Sequence, residues 1–116
     1  MRVLIVDDEP LVRRSLARVA SQRGHEVVEA ENGQEGLRQW TQFKPELIFL
    51  DVLMPVMTGP QVLSQRPDKV AKVVLMSAYT GPAGGQSAQE FGADLFVAKP
   101  FEDVFAVVSQ AEELLR

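Results

Sequence analysis

Four short apolar runs in this chain each stop on a polar or ionisable residue. VLIV (Val3–Val6) runs into Asp7, Asp8 and Glu9, and the LIFL of Leu47–Leu50 runs into Asp51. VVLM (Val73–Met76) stops at Ser77, and LFVA (Leu95–Ala98) stops at Lys99 and Pro100. Runs of four or five apolar residues without alternation are the mark of strands buried on both faces. Such strands belong to parallel sheets whose carboxyl ends line a ligand crevice. The polar residues at the run ends are therefore the candidates for chemistry, with Asp51 first among them.

Between these runs the periodicity turns helical. Pro10 suits a first helical turn, where its missing N–H costs nothing. Val12, Leu16, Val19 and Arg23 follow at helical spacing, with Gly24 as a stop. HEVVEA (His25–Ala30) reads as a short strand, with His25 at its exposed edge. Asn32 can cap a helix carrying Leu37 and Trp40, which Lys44-Pro45 ends. Trp40 reads as a packing residue. Gly59-Pro60 opens a short helix with Val62 and Leu63, closed by Pro67. Gly84 and Gly85 each disfavour helix by about 1 kcal/mol, so the next helix is confined to Gln86–Phe91. Phe101, Glu102 and Asp103 open a final helix, with Val104, Val108, Ala111 and Leu115 recurring on one face.

Five strands alternating with five helices predict an α/β fold, a doubly wound parallel sheet with right-handed crossovers and helices on both faces. Strand order 2-1-3-4-5, the flavodoxin-like arrangement, is the common solution for five. With 116 residues, 46% of them hydrophobic, the chain makes one domain with a real core and falls short of two. A net charge of −4 without a basic tract argues against direct nucleic-acid binding. The chain has no cysteine, no signal-peptide core and no apolar run near the roughly 20 residues that span a bilayer. These features predict a soluble, cytoplasmic protein.

In the order 2-1-3-4-5, strands one and three are neighbours, so Asp7, Asp8 and Asp51 converge, with Ser77 and Lys99 on the strands beyond. Close carboxylates repel one another, and a hard divalent ion such as Mg²⁺ relieves the repulsion while leaving room for water and phosphate oxygens. Phosphoryl transfer requires an in-line nucleophile and charge neutralisation around the transferred group. Asp51 can be that nucleophile, flanked by the metal and Lys99, and the Ser77 hydroxyl can donate to a phosphoryl oxygen. The plainer reading makes Asp7, Asp8 and Glu9 caps of the helix that starts at Pro10, Ser77 a turn residue and Phe96 core.

The residues VLIVDDEP, LDVLMP with MTG, MSA and VAKPF, in this order along essentially the whole chain, resemble the receiver domain of bacterial two-component response regulators. The resemblance implies that Asp51 is the phosphoacceptor, charged from a histidine kinase or phosphotransfer protein. It further implies that Asp8, Asp51 and the backbone carbonyl of Leu53 ligate Mg²⁺, with Asp7 acting through bound water. Ser77 is then the switch hydroxyl, Lys99 the phosphate-pairing lysine, Phe96 an aromatic switch that turns inward, and Lys99-Pro100 a cis peptide. Such a domain is no enzyme beyond catalysing its own phosphorylation and dephosphorylation. Its downstream partner is a protein target or an output domain, and none is encoded before Arg116. No membrane partner is implied.

Two positions depart from the family pattern. Leu53, two after Asp51, and Tyr79, two after Ser77, replace polar side chains that help place a hydrolytic water, which predicts slow self-dephosphorylation. The GPAGG of Gly81–Gly85 weakens the start of a helix whose face commonly signals in this family. The rivals are a haloacid-dehalogenase-like phosphatase, a flavin or nucleotide module, and a receiver-like interaction domain that is not phosphorylated. The first lacks its second acid, because Leu53 stands there; the second lacks a phosphate loop, because DDEP is anionic.

Overall fold

A computed structural model describes residues 1–78 and 92–115. Its elements are β1 (Arg2–Val6), α1 (Pro10–Gln22), β2 (Glu26–Ala30), α2 (Gly33–Phe43), β3 (Leu47–Asp51), α3 (Gly59–Ser64), β4 (Lys72–Ser77), β5 (Leu95–Ala98) and α4 (Val104–Glu113). All four strand pairings are parallel and the order is β2-β1-β3-β4-β5. The expected sheet is therefore present. The helix expected over Gln86–Phe91, the GPAGG stretch and Tyr79 lie outside the described residues.

The unbroken apolar runs are explained by the two layers that cover the sheet. Successive side chains of a strand point to opposite faces. Leu4, Val6, Ile48, Leu50, Val73 and Leu75 accordingly pack with Trp40, Val62 and Leu63 on the face covered by α2 and α3. The alternate residues Val3, Ile5, Leu47, Phe49, Val74 and Met76 pack with Leu16, Val19, Val107, Val108 and Ala111 under α1 and α4. Neither face of β1, β3 or β4 meets water, so a polar residue within these strands has no place except at a tip.

Helix boundaries follow local chemistry. Asn32 caps α2, its side chain accepting from the Glu35 N–H, and Lys44 ends it in the left-handed region at φ 53°. Thr58 and Gln61 form a reciprocal capping box at α3. Asp103 accepts from the Phe105 and Ala106 N–H groups, so α4 starts at Val104, later than the Phe101–Asp103 opening the sequence suggests.

Two features tie the layers together. The α3–β4 connection is folded on itself: Asp68 accepts from the Val70 and Ala71 N–H groups and from Trp40 Nε1 at 3.0 Å. Arg66 donates to the carbonyls of Asp68, Ala71 and Gly92, and its guanidinium lies 5.3 Å from the centre of the Trp40 ring. Trp40 is thus a packing residue, as its sequence context suggests. His25 is a correction. It precedes β2, and its side chain is largely buried, with Nε2 2.6 Å from Glu112 of α4. Nothing local in HEVVEA reveals that contact, because its partner lies 87 residues away.

Candidate functional site

The site is assembled from the carboxyl ends of β1, β3, β4 and β5. Asp7 leaves β1 with its N–H bonded to Ala30 O on β2 at 3.1 Å, and it is fully buried. Asp51 is the last residue of β3 and Ser77 the last of β4; both are buried. Lys99 follows β5, and its N–H donates to Ser77 O at 2.8 Å, which holds the two tips side by side. The Lys99–Pro100 peptide bond is cis, as the resemblance implies.

Lys99 is the centre of the charge distribution. Its Nζ lies 2.7 Å from Asp7 Oδ2, 3.1 Å from Glu9 Oε1 and 3.4 Å from Asp51 Oδ2. One carboxylate oxygen from each of Asp7, Asp8, Glu9 and Asp51 can be chosen so that all lie within 4.8 Å of one another. Burial, then the charge of Asp7, pushes the Asp51 carboxyl up to about 7, against the opposing pull of Lys99. Burial alone would push Lys99 down, but its contact with Asp7 and the charge of Asp51 outweigh it, and the ammonium is held above its ordinary range.

Four carboxylates against one ammonium leave the pocket with an excess of negative charge. Asp7 Oδ2 meets Lys99 as an ion pair outside hydrogen-bond geometry and is buried with no hydrogen-bond donor. An all-oxygen donor set, with a buried carboxylate oxygen that accepts no hydrogen bond, fits a hard divalent cation and does not fit a thiophilic metal.

The β3–α3 connection shapes the mouth of this pocket. Val52 N–H donates to Met76 O, and Gly59 N–H returns to Val52 O, both at 2.8 Å. A side chain at Gly59 would put its Cβ 2.6 Å from Asp51 O, so only glycine lets the chain pass behind Asp51. Met57 N–H bonds Pro55 O around Val56, whose φ of 73° is costly for a β-branched residue. Leu53 is 63% exposed beside the pocket. Phe96 pairs with Leu75 in register and is half-buried against the α2–α3 core, on the opposite face of β5 from Leu95 and Val97.

Asp7, Asp8, Asp51, Ser77 and Lys99 thus meet at one end of the sheet, as their tip positions predict. Glu9 belongs with them, although its place before α1 suggests only a cap. It occupies the N-cap position of α1 but makes no cap bond, because its carboxylate turns to Lys99. Asp7 Oδ1 accepts from the Glu9 N–H instead, which closes the acidic turn. Three consecutive acids before a helix were the available signal; which of them faces the pocket depends on the turn.

The molecule is a doubly wound sheet with an acidic pocket at the β1/β3 switch point and a buried lysine after β5. The sequence model of the response regulator receiver domain matches residues 3–108, and the chain belongs to that family. It is 36% identical over 104 residues to the chemotaxis protein CheY of Thermotoga maritima, spanning 87% of each chain. It is 38% identical over 120 residues to a protein-glutamate methylesterase/protein-glutamine glutaminase of Archaeoglobus fulgidus, but covers only 34% of that protein. Among solved structures it is similar to the chemotaxis protein CheY4 of Vibrio cholerae, with a TM-score of 0.85 at 28% identity over 97% of this chain and 96% of that one. A chain of the CheX–CheY–BeF3–Mg²⁺ complex of Borrelia burgdorferi is similar at a TM-score of 0.88 and 26% identity, covering 100% of this chain and 90% of that one. The family is thus one of two-component regulators, which are not classical enzymes. No helix among the described residues is long and apolar enough to cross a membrane.

Proposed function

We propose that this chain is a phosphoacceptor receiver domain that takes a phosphoryl group on Asp51 and thereby switches a protein-interaction surface. The observation that carries the reading is the buried Asp51–Lys99 pair beside Asp7, Asp8 and Glu9. Asp51 Oδ attacks the phosphorus of a phosphohistidine: an O–P bond forms, the N–P bond breaks, and the imidazole leaves with the electron pair. The attacking carboxylate must be ionised, and the position of Asp51 near 7 leaves it poised between its two forms at neutral pH.

Asp8, Asp51 and the carbonyl of Leu53 would hold Mg²⁺, with Asp7 reaching it through water. When bound, the ion neutralises charge on the phosphoryl oxygens and favours ionised Asp51. Lys99 exchanges one of its carboxylate contacts for a phosphoryl oxygen, and the Ser77 hydroxyl donates to another. Movement of Ser77 lets Phe96 turn further inward, which changes the surface along β4 and β5. The donor is a histidine kinase or phosphotransfer protein. The recipient of the signal is a protein target or an output domain.

Incubation with Mg²⁺ and acetyl phosphate, followed by intact-mass measurement, tests the reading. We expect a gain of one phosphoryl group in the wild type and none in Asp51→Asn. No gain in the wild type would favour an interaction domain that is never phosphorylated. Leu53 offers a backbone carbonyl but no polar side chain, so phospho-Asp51 is expected to persist. Acid-labile phosphate should be lost over minutes or longer, and Leu53→Asn should shorten that lifetime; a wild-type lifetime of seconds would refute the point.

A further inference from the structure

The acidic turn is held from behind by a residue outside the pocket. Arg13, on the first turns of α1, has a side chain only 12% exposed. Its NH1 donates to the backbone carbonyl of Asp7 at 2.8 Å, and its Nε donates to Glu29 Oε1 on β2 at 3.0 Å. Glu29 stands in register with Ile5, two residues before Asp7. The guanidinium therefore spans from the edge strand to the tip of β1.

Three bonds converge on Asp7, and the one from Arg13 falls on the Asp7–Asp8 peptide. The Asp7 N–H is fixed to Ala30 O, its carbonyl to Arg13, and its Oδ1 to the Glu9 N–H. The Asp7–Asp8 peptide sets the direction in which Asp8 leaves the backbone. Without Arg13 that plane could rotate, and the mutual repulsion of Asp7, Asp8, Glu9 and Asp51 would drive it apart. Glu29 does a second thing: it pairs the guanidinium, so that a positive charge behind the turn is compensated.

We infer that Arg13, anchored by Glu29, is a positioning residue that pre-sets the Asp7–Glu9 turn for a divalent cation; this rests on the receiver chemistry proposed above. Two other roles give different signs. If Arg13 mattered only through its charge, which opposes a cation, its loss would tighten cation binding. If it mattered only to stability, its loss would lower the unfolding midpoint and leave cation affinity alone. Positioning requires that its loss weaken binding. Removal of outer partners of metal ligands commonly weakens affinity by about 10–100-fold.

The test is calorimetric titration of the 116-residue chain with Mg²⁺, with urea unfolding in parallel. Arg13→Met keeps the aliphatic stem and is expected to raise the Mg²⁺ dissociation constant about tenfold. Arg13→Lys, whose ammonium lacks the fork that serves both acceptors, should fall between it and the wild type. Should Arg13→Met fail to fold, Arg13→Lys carries the test, because it keeps the charge and loses only the fork that reaches both acceptors. Unchanged or tighter Mg²⁺ binding in the folded variant overturns the positioning role, whatever happens to its urea midpoint. A wild type that takes up no Mg²⁺ overturns both this inference and the receiver reading; a wild type that binds with an equally avid variant overturns this inference alone.

Discussion

Asp51 sits where its charge is least comfortable, at the sealed end of a strand with Asp7 beside it. A carboxyl raised to about 7 binds its proton more tightly in the folded chain than in the unfolded one, where it titrates near 3.8. Its contribution to stability is therefore full below about pH 4 and is lost progressively as pH rises through 7. Asp51→Asn removes that loss. In metal-free buffer the variant should gain on the wild type between pH 4 and 7 and keep an advantage of at most about 4 kcal/mol above it, by urea unfolding. Saturating Mg²⁺ should shrink the difference by stabilising the wild type alone. Glu9 and Arg13 show the limit of reading residues singly. Both lie in plain sight beside DD, yet whether each turns toward Lys99 or toward β2 is decided by groups brought in from β5 and β2.

The elements obey their local sequence closely, and the exceptions lie near the pocket. Asn32 caps α2 as its position suggests, Thr58 and Asp103 cap α3 and α4, and Gly59 is required by the close approach of Asp51 O. Val56 runs against preference, held at φ 73° with its side chain 75% exposed. Left-handed backbone costs a non-glycine residue about 1–2 kcal/mol. Val56→Gly should therefore raise stability by about 1 kcal/mol after the entropic cost of glycine, seen as a higher denaturant midpoint at unchanged slope. The α3–β4 connection carries a second prediction. Asp68 supports the buried Trp40 indole and two backbone N–H groups; burial pushes its carboxyl up, but the bonds from Ala71, Val70 and Trp40 and the charge of Arg66 together outweigh burial and hold it below the ordinary carboxylate range. Asp68→Ala should cost about 2 kcal/mol by leaving those donors unpaired. The short third helix expected from Pro67 is thus followed by a hydrogen-bonded loop that its sequence does not announce.

At the scale of the molecule, the two ends of the chain are tied across α1, β2 and α4. Glu112 bonds the Arg23 guanidinium through Nε at 2.8 Å and His25 Nε2 at 2.6 Å, while His25 Nδ1 faces the Met1 amino group at 3.3 Å. Arg23, helped by His25, holds the Glu112 carboxyl below its ordinary range. A depressed carboxyl contributes stability that is present above its unfolded value, near 4.5, and is lost as pH falls through the folded one. Glu112→Gln should thus cost less than about 1 kcal/mol at neutral pH, and the difference should vanish in acid, as thermal melts across that range would show.

The apolar runs and their polar tips by themselves determined the class of fold and the end of the sheet where the polar residues gather, while the strand order followed only as the common solution for five parallel strands. A run of four apolar residues has no stable place except between two layers, and a charge can stand only where such a strand ends. Tertiary structure alone decided which neighbours each tip acquires: Lys99 shared among Asp7, Glu9 and Asp51, Arg13 drawn onto the Asp7 carbonyl, and His25 buried against Glu112. Periodicity reports the environment along one strand or helix. The partners of a charge are chosen by packing between elements up to 90 residues apart, where Coulomb energy and desolvation are balanced in three dimensions.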